Sequence, residues 1–185
     1  MTAFHTVAVL ALAVFLAGCK RHRDVDETRT DAVIFEKASI AMTPGAGWTN
    51  STEGELHRSE FGELCPPVLE GSGGHSGSRI QVSRFAERSS ADPRAAEIRK
   101  QLEAYPGVIK SSVKQEKVDS KAGLSLIHVE YNSKAEEKDH KWLVKTHLYL
   151  FKNSKGHCVA IAYLTPASKD SPAVHDMIRN TLVLR

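Results

Sequence analysis

Hydrophobic and polar residues alternate along several short stretches of the chain, which is the pattern of a half-buried β-strand. Residues 79–85 show this pattern most clearly, because Ile80 and Val82 share one face of the predicted strand. The same reasoning predicts strands at residues 38–42, 60–71, 123–132, 141–152 and 157–165. Residues 153–156, NSKG, separate the last two strands, and so short a connection predicts a tight antiparallel hairpin.

Two other segments repeat hydrophobic residues every three or four positions, which predicts helices at residues 93–105 and 172–182. In the first helix, Ile98, Leu102 and Tyr105 belong to one apolar stripe. The second helix is preceded by a serine that can cap it, and a proline fits its first position. Three strands, a helix, three antiparallel strands and a final helix predict an α+β fold, in which an antiparallel β-sheet is flanked by helices.

The chain opens with an apolar run at residues 7–15, which carries no charged residue. A helix that crosses a bilayer needs about 20 apolar residues, so this run is too short to span a membrane. It is typical of the apolar core of a secretory signal. The alternative is a buried N-terminal helix with a core cysteine, but the charged segment that follows the run favours the signal.

The sequence LAGC at residues 16–19 resembles the lipoprotein box of bacteria. This resemblance implies cleavage after Gly18 and attachment of a diacylglyceryl group and a further acyl chain to Cys19. The segment before the apolar run departs from the pattern, because it contains no Lys or Arg. Lys20 stands where an Asp favours retention in the inner membrane of Gram-negative bacteria. The resemblance therefore implies a lipid anchor in the outer membrane, facing the periplasm.

The chain is thus predicted to contain three segments, a signal peptide at 1–18, a lipidated tether at 19–31 and an α+β domain at 32–185. Apart from Val25, residues 20–31 are all polar, and a flexible chain of this length reaches about 20 Å. Three acyl chains would hold the protein firmly at the membrane. The net charge of +3 comes from interspersed signs, so no nucleic-acid partner is predicted.

Cys65 and Cys158 are the two cysteines that remain after Cys19. In an oxidising compartment, an even number of cysteines favours a disulfide, so a bridge between Cys65 and Cys158 is predicted. Two separate core thiols are the alternative. A reactive pair has less support, because the sequence contains no Cys-x-x-Cys motif.

Residues 74–78, GHSGS, nearly match the G-x-S-x-G motif of esterases, with Ser76 in the nucleophile position. That motif requires a strand before the serine and a helix after it. Here a predicted strand follows, so the segment is more simply interpreted as a flexible loop.

His128 and Glu130 occupy alternate positions of one predicted strand and could form an acid–base pair. The alternative is that both lie on the solvated face of the sheet, while Ile127, Val129 and Tyr131 point inward.

Histidines are numerous in the predicted domain, which contains His57, His75, His128, His140, His147, His157 and His175. Three of them, His140, His147 and His157, could approach one another across the last hairpin. The sequence nevertheless contains no His-x-His or His-x-x-x-His spacing, which are common arrangements of metal ligands. No metal site and no cofactor are therefore predicted.

The order of elements resembles the PsbP-like family, an α/β/α sandwich shared by an extrinsic photosystem II protein and a Ran-binding nuclear-import factor. The matching pieces are MTPGAGW at residues 42–48, the middle helix, the long hairpin and SPAVHDMIRNTLVL at residues 171–184. The resemblance covers residues 33–185, and it argues topology. Members of this family with known roles mostly bind or help assemble other proteins, and enzymes are not typical.

These observations predict a lipid-anchored binding or assembly module of the cell envelope, with a protein partner and no catalytic residues. A small periplasmic hydrolase that uses His128 with Glu130, or Ser76, is the alternative. An exposed apolar patch would favour the binding module. A pocket with converging His, Glu and Ser side chains would favour the hydrolase.

Overall fold

The computed structural model describes residues 32–45, 47–51, 60–65, 78–84, 95–137 and 140–185. The strands in these ranges are β1 Val33–Phe35, β2 Ile40–Met42, β3 Thr49–Ser51, β4 Glu60–Cys65, β5 Arg79–Arg84, β6 Lys114–Asp119, β7 Ser125–Glu137, β8 His140–Lys152, β9 Cys158–Pro166 and β10 Val183–Leu184. The α-helices are α1 Ala95–Ala104 and α2 Pro172–Thr181, and 3-10 turns occur at Glu36–Ala38, Lys110–Ser112 and Ala167–Lys169.

Several sequence predictions concern residues outside these ranges. The signal peptide at 1–18, the lipidated Cys19 and its tether, Ser76, His57 and His75 all belong to this group. Among the described residues, no helix is long and apolar enough to cross a membrane.

Strands β1, β2 and β10 form a three-stranded antiparallel sheet, the small sheet, with β2 in the middle. The register pairs Ala41 of β2 with Ile34 on one side and with Val183 on the other. Because directly paired residues point to the same side of a sheet, Ile34, Ala41 and Val183 share one face. The small sheet thus joins the first described strand of the chain to the last.

The other seven strands form the large sheet, in the order β3-β4-β5-β9-β8-β7-β6, and every neighbouring pair is antiparallel. The predicted hairpin between β8 and β9 is confirmed. The side-chain oxygen of Asn153 accepts hydrogen bonds from the backbone N–H groups of Lys155 and His157, at 3.0 and 2.8 Å. Gly156 has a φ of 74° in this turn, a conformation that glycine adopts without steric cost.

Each face of the large sheet carries a hydrophobic cluster. Helix α1 covers one face through Ile98 and Leu102. Helix α2 covers the other face through Ile178, together with residues of the small sheet. Strand β8 contributes to both clusters, because successive side chains of a strand point to opposite faces. Leu148 therefore lies on the α1 side, and Tyr149 lies on the α2 side.

The predicted fold class, an α+β domain with one antiparallel sheet flanked by helices, is wrong. Within the described residues the protein is richer in strands, with ten strands in two antiparallel sheets and two α-helices of ten residues each. The physical reason is that the second sheet covers part of the surface that the prediction assigned to helices. Its strands have only two or three residues, too few to show a sequence period.

Most of the longer elements agree with the sequence predictions. Strands β2, β4, β5, β7, β8 and β9 and both helices lie within or overlap the predicted segments, and Ser171 and Pro172 stand at the predicted start of α2. The strand predicted at residues 123–132 continues past residue 132 to Glu137. Strands β1, β3, β6 and β10 were not predicted. The sequence of β6, KQEKVD, contains a single hydrophobic residue, because this strand lies at the edge of the large sheet.

The strand register does not support the predicted bridge between Cys65 and Cys158. Leu64, next to Cys65 on β4, pairs with Ile80 of β5, and Ile80 pairs with Tyr163 of β9. Cys65 therefore lies near the end of β9 that contains Leu164. Cys158 is six residues away along β9, which corresponds to about 20 Å. The Cα atoms of a disulfide lie within about 7 Å of each other. Cys158 itself is buried.

Candidate functional site

Five polar and aromatic side chains meet on the α2-covered face of the large sheet, and we call them the histidine cluster. They are His128 of β7, His147 and Tyr149 of β8, Asp170 and His175. The register places His128 directly opposite Tyr149, and alternation along β8 puts His147 on the same face as Tyr149. Asp170 lies just before α2, and His175 lies in the first turns of that helix.

Hydrogen-bond contacts connect the strand histidines to a carboxylate at each end. His128 Nδ1 lies 3.0 Å from Oε1 of Glu116 on the neighbouring strand β6. His128 Nε2 lies 3.0 Å from His147 Nδ1. His147 Nε2 in turn lies 3.2 Å from Asp170 Oδ2. Two imidazoles are therefore arranged in series between two carboxylates.

The same aspartate continues the chain of contacts to the helix. Asp170 Oδ1 lies 3.1 Å from His175 Nε2. His175 Nδ1 lies 2.7 Å from the Tyr149 hydroxyl. Asp170 therefore contacts two histidines, one through each oxygen, and it joins the sheet to α2.

Ring packing also holds the cluster together. His128 and Tyr149 are stacked with ring centroids 4.7 Å apart and an interplanar angle of 12°. The rings of His147 and His175 are 4.0 Å apart and tilted by 59°. Tyr163 of β9 lies against both of these histidines, at centroid distances of 6.0 and 5.4 Å. These contacts limit the orientations that the imidazoles can adopt.

Burial controls the protonation of the cluster. Burial is the main reason that the pKa of His147 falls to about 4, and the nearby His175 and His128 lower it further, against the opposing charge of Asp170. Burial alone would raise the pKa of Asp170. Hydrogen bonds and charges from His175 and His147 outweigh burial, so the pKa of Asp170 is lowered. Burial raises the pKa of Tyr149. At neutral pH the site therefore contains a neutral His147 and an ionised Asp170.

Glu130 is paired with lysines and does not form the predicted acid–base pair with His128. Its carboxylate oxygens lie 2.9 Å from Lys114 Nζ and 3.3 Å from Lys145 Nζ. Burial alone would raise the pKa of Glu130, but the two lysines outweigh this effect and lower it to about 2. Glu130 therefore remains ionised, and the carboxylate that contacts His128 is Glu116.

The alternative prediction for this strand, a solvated face, is also wrong. The side chains of His128 and Glu130 are only 12% and 18% exposed, because His175 of α2 packs near His128, and Lys114 and Lys145 flank Glu130. The inward orientation of the alternate residues is confirmed for Val129 and Tyr131, which are buried, whereas Ile127 is half-buried.

The predicted approach of His140, His147 and His157 across the hairpin does not occur. His140 is seven residues from His147 along β8, and His157 lies at the far end of the hairpin, next to Asn153. Each is therefore about 20 Å from His147 along the strands. His147 instead meets Asp170 and His175, and the ligand atoms of these three residues all lie within 4.8 Å of one another.

Sequence reasoning missed Asp170 and His175 as partners of His147, and Glu116 as the partner of His128, because three other elements supply them. One local signal was present in β8, where alternation places His147 on the same face as Tyr149 and Phe151, which belong to a hydrophobic cluster. A histidine in such a position needs polar partners from another element.

A second feature of the surface is an apolar row on the small sheet, formed by Ile34, Ala41 and Val183. Ile34 is 44% exposed and Val183 is 42% exposed, and Ala41 between them is covered. Leu184, also in β10, is 37% exposed, and Leu143 of β8 is the other large exposed hydrophobic residue in the part of the chain that the structure describes. Exposed hydrophobic side chains are thus concentrated on the small sheet.

Comparisons with known proteins bear on the fold. No protein-family model matches the chain, and no curated protein matches it. A crystal structure from Bacteroides thetaiotaomicron VPI-5482 is similar with a TM-score of 0.54 and 13% identity, over 86% of this chain and 49% of that chain. The Ran-binding protein Mog1p of Saccharomyces cerevisiae is similar with a TM-score of 0.52 and 14% identity, over 85% of this chain and 96% of that chain.

At these identities the two likenesses show a shared fold alone. The chain spans about half the length of the Bacteroides protein. The resemblances to bacterial lipoproteins and to the PsbP-like family stay predictions.

Proposed function

We propose that this protein is a lipid-anchored domain of the cell envelope that docks a partner protein on the outer face of the small sheet. The observation that carries the proposal is the apolar row. Ile34 and Val183, two of the four large exposed hydrophobic residues in the described ranges, flank Ala41 on this face, whereas Leu184 pairs with the buried Ile40 and points to the opposite face. Clustered apolar exposure of this kind marks interaction surfaces, whereas single exposed residues do not.

The free energy that burial of the apolar row can supply is small and suits a weak contact. Full burial of a Val or Ile side chain is worth about 1.5–3 kcal/mol. Ile34 and Val183 are each a little under half exposed, so covering both contributes about 2 kcal/mol on that scale. Polar contacts around the row must supply the rest of the affinity, and Lys155 and Arg185 lie beside this sheet.

The position of the apolar row in the chain agrees with a role near a membrane. Strand β1 begins at Val33, immediately after the predicted tether at 19–31. A tether of this length reaches about 20 Å, so a partner docked on the small sheet would stay near the lipid surface.

The hydrolase alternative has less support from the site. Glu130 is held by two lysines, and Ser76 lies outside the described residues. The contact between Glu116 and His128 could transfer a proton, but the structure gives no observation that favours hydrolysis over binding.

A photo-crosslinking amino acid at position 34, in the lipidated protein in its own cells, tests the docking proposal. Position 143 is the matched control, because Leu143 is 43% exposed on a different sheet. We expect a discrete crosslinked product from position 34 that disappears with Val183→Asp and persists with Leu143→Asp. Equal products from positions 34 and 143, or no effect of Val183→Asp in a variant that remains folded, would contradict the proposal.

The lipid anchor has its own test. The intact mass of the membrane-extracted protein should show loss of residues 1–18 and acylation at Cys19, and Cys19→Ser should release the domain from the membrane. A protein that keeps Met1 and an unmodified Cys19 would contradict the anchor but not the docking surface.

A further inference from the structure

The hydrogen-bond contacts between Glu116 and Asp170 are one more than two neutral imidazoles can satisfy as donors. Three contacts lie between these residues, Glu116 to His128, His128 to His147 and His147 to Asp170. Ionised carboxylates only accept hydrogen bonds, and a neutral imidazole carries one N–H. Three contacts therefore need three N–H groups, whereas two neutral imidazoles supply two.

The missing proton falls at the contact between His147 and Asp170. His128 Nδ1–H donates to Glu116, and His147 Nδ1–H donates to His128 Nε2, when each of the first two contacts is a hydrogen bond. The lone pair of His147 Nε2 then faces an oxygen of Asp170 at 3.2 Å. A lone pair and a carboxylate at this distance repel each other in a half-buried place, unless a positive charge lies between them.

We propose that one divalent transition-metal ion of the zinc class occupies this position, bound by His147 Nε2, a carboxylate oxygen of Asp170 and His175 Nε2. An extra proton could satisfy the contact between two atoms, but three ligand atoms from different elements converge here, all within 4.8 Å. Zinc ligands lie about 2.0–2.1 Å from the ion, so neighbouring ligands in a tetrahedral site are about 3.3 Å apart. Asp170 Oδ2 lies 3.2 Å from His147 Nε2 and Asp170 Oδ1 lies 3.1 Å from His175 Nε2, so the carboxylate presents one oxygen to each imidazole at about this spacing.

The residues around the three ligands provide hydrogen-bond partners for the ring nitrogens that would not bind the ion. Once the Nε2 atoms bind the ion, the Nδ1–H of His147 donates to His128, and the Nδ1–H of His175 faces the Tyr149 hydroxyl at 2.7 Å. His128 in turn donates to Glu116. Metal-binding histidines almost always have such a partner for the second ring nitrogen, which fixes the tautomer and the ring orientation.

The ligand set and its exposure define the class of ion. Two imidazoles and one carboxylate suit Zn²⁺ and neighbouring transition metals, whereas Mg²⁺ and Ca²⁺ prefer oxygen ligands. His147 is the buried ligand, with 4% exposure of its side chain, whereas Asp170 and His175 are 29% and 19% exposed. The open side gives an ion access and leaves a coordination position for water or a further ligand. This metal site is independent of the docking proposal.

Titration of the full-length, detergent-solubilised protein with Co²⁺ and then Zn²⁺ tests the site. We expect one equivalent of Co²⁺ to bind with the intense visible absorption of a four-coordinate ion, and Zn²⁺ to abolish that absorption by displacement. Loss of a residue that only orients a metal ligand typically weakens metal binding by about 10–100-fold. Asp170→Asn and His175→Gln change the ligands themselves, so each should weaken Co²⁺ binding by more than that. His128→Gln should fall within that 10–100-fold range.

His157→Gln is the matched control, because His157 is an exposed histidine outside the cluster, and it should bind as the wild type does. Circular dichroism of each variant shows whether it is folded. Absence of stoichiometric binding by the wild-type protein would overturn the proposal without reference to any variant. The proposal would also be overturned if Asp170→Asn and His175→Gln were both folded and both bound Co²⁺ with the affinity of the wild type.

Discussion

The two faces of the large sheet differ sharply in chemistry, although the same strands build both. On the α1 side, β8 presents Leu148 and Leu150 to a hydrophobic cluster whose one polar side-chain group is the Tyr131 hydroxyl, hydrogen-bonded with Thr146. On the α2 side, the same strand presents His147 and Tyr149 to a network of polar contacts. One strand thus contributes a mainly apolar surface and a surface lined by hydrogen-bonded polar side chains, with a change of face at each residue.

The difference shows where the domain gains stability and where it carries polar groups at a cost. Apolar burial on the α1 side stabilises the fold without any partner requirement. On the α2 side each buried polar atom needs a hydrogen-bond partner, since an unpaired one costs about 1–3 kcal/mol. Three substitutions test this contrast between the two faces.

Leu150→Ala on the α1 side should produce the largest loss of stability. Leu150 is 1% exposed, and truncation of a buried leucine costs about 2–5 kcal/mol through lost burial and the cavity left behind. Urea unfolding, monitored by circular dichroism, measures the change in the free energy of unfolding. A loss below that range would mean that the α1 side contributes less stability than its packing suggests.

Glu130→Gln on the α2 side should have an intermediate effect, about 1–2 kcal/mol at neutral pH, because it leaves the half-buried Lys145 without its carboxylate partner. The folded pKa of Glu130 is about 2, below the ordinary value of 4.5. Its contribution is therefore complete above pH 4.5 and is lost as the pH falls toward 2.

Unfolding curves of wild type and Glu130→Gln should accordingly converge as the pH is lowered through this window. Exposed Lys114 adds little, since exposed ion pairs are screened by solvent. A difference between the two proteins that stays constant from neutral pH to pH 2 would contradict the pairing of Glu130 with the lysines.

Tyr149→Phe should have the smallest effect on stability, about 0.5–1.5 kcal/mol, because it removes the hydroxyl contact to His175 and keeps the ring. The stacking of ring 149 on His128 should survive. Chemical unfolding gives the energy, and the imidazole NMR signals of His175 should shift more than those of His128. Equal shifts for both histidines would indicate that the ring itself has moved.

Sequence patterns were sufficient for the regular elements but not for the histidine cluster. Strands such as β5 and β9 were recognisable because a buried face imposes alternation or a long apolar run, and α2 was recognisable from its Ser-Pro start and its apolar stripe. Edge strand β6 escaped prediction, because an edge exposed to water does not need hydrophobic residues.

The cluster could not be predicted because it depends on strand register and on the placement of α2. Asp170 and His175 are 23 and 28 positions from His147 in the sequence, and only the packing of α2 brings them together. The spacing rules that argued against a metal site apply to ligands on a single element, whereas here the three ligand atoms come from a strand, a loop and a helix. The same limitation affected the cysteines, because an even count says nothing about register.

The length of β8 has a consequence for how the two proposed sites work together. At its far end, the Asn153 side chain donates a hydrogen bond to the Ala38 carbonyl, next to the small sheet, at 2.9 Å. His147 is six residues back along the strand, about 20 Å away. The end of β8 that contacts the small sheet and the proposed ion site at His147 are therefore separate places on one strand. The two sites are also joined by α2, which carries His175 and leads directly into β10 of the small sheet.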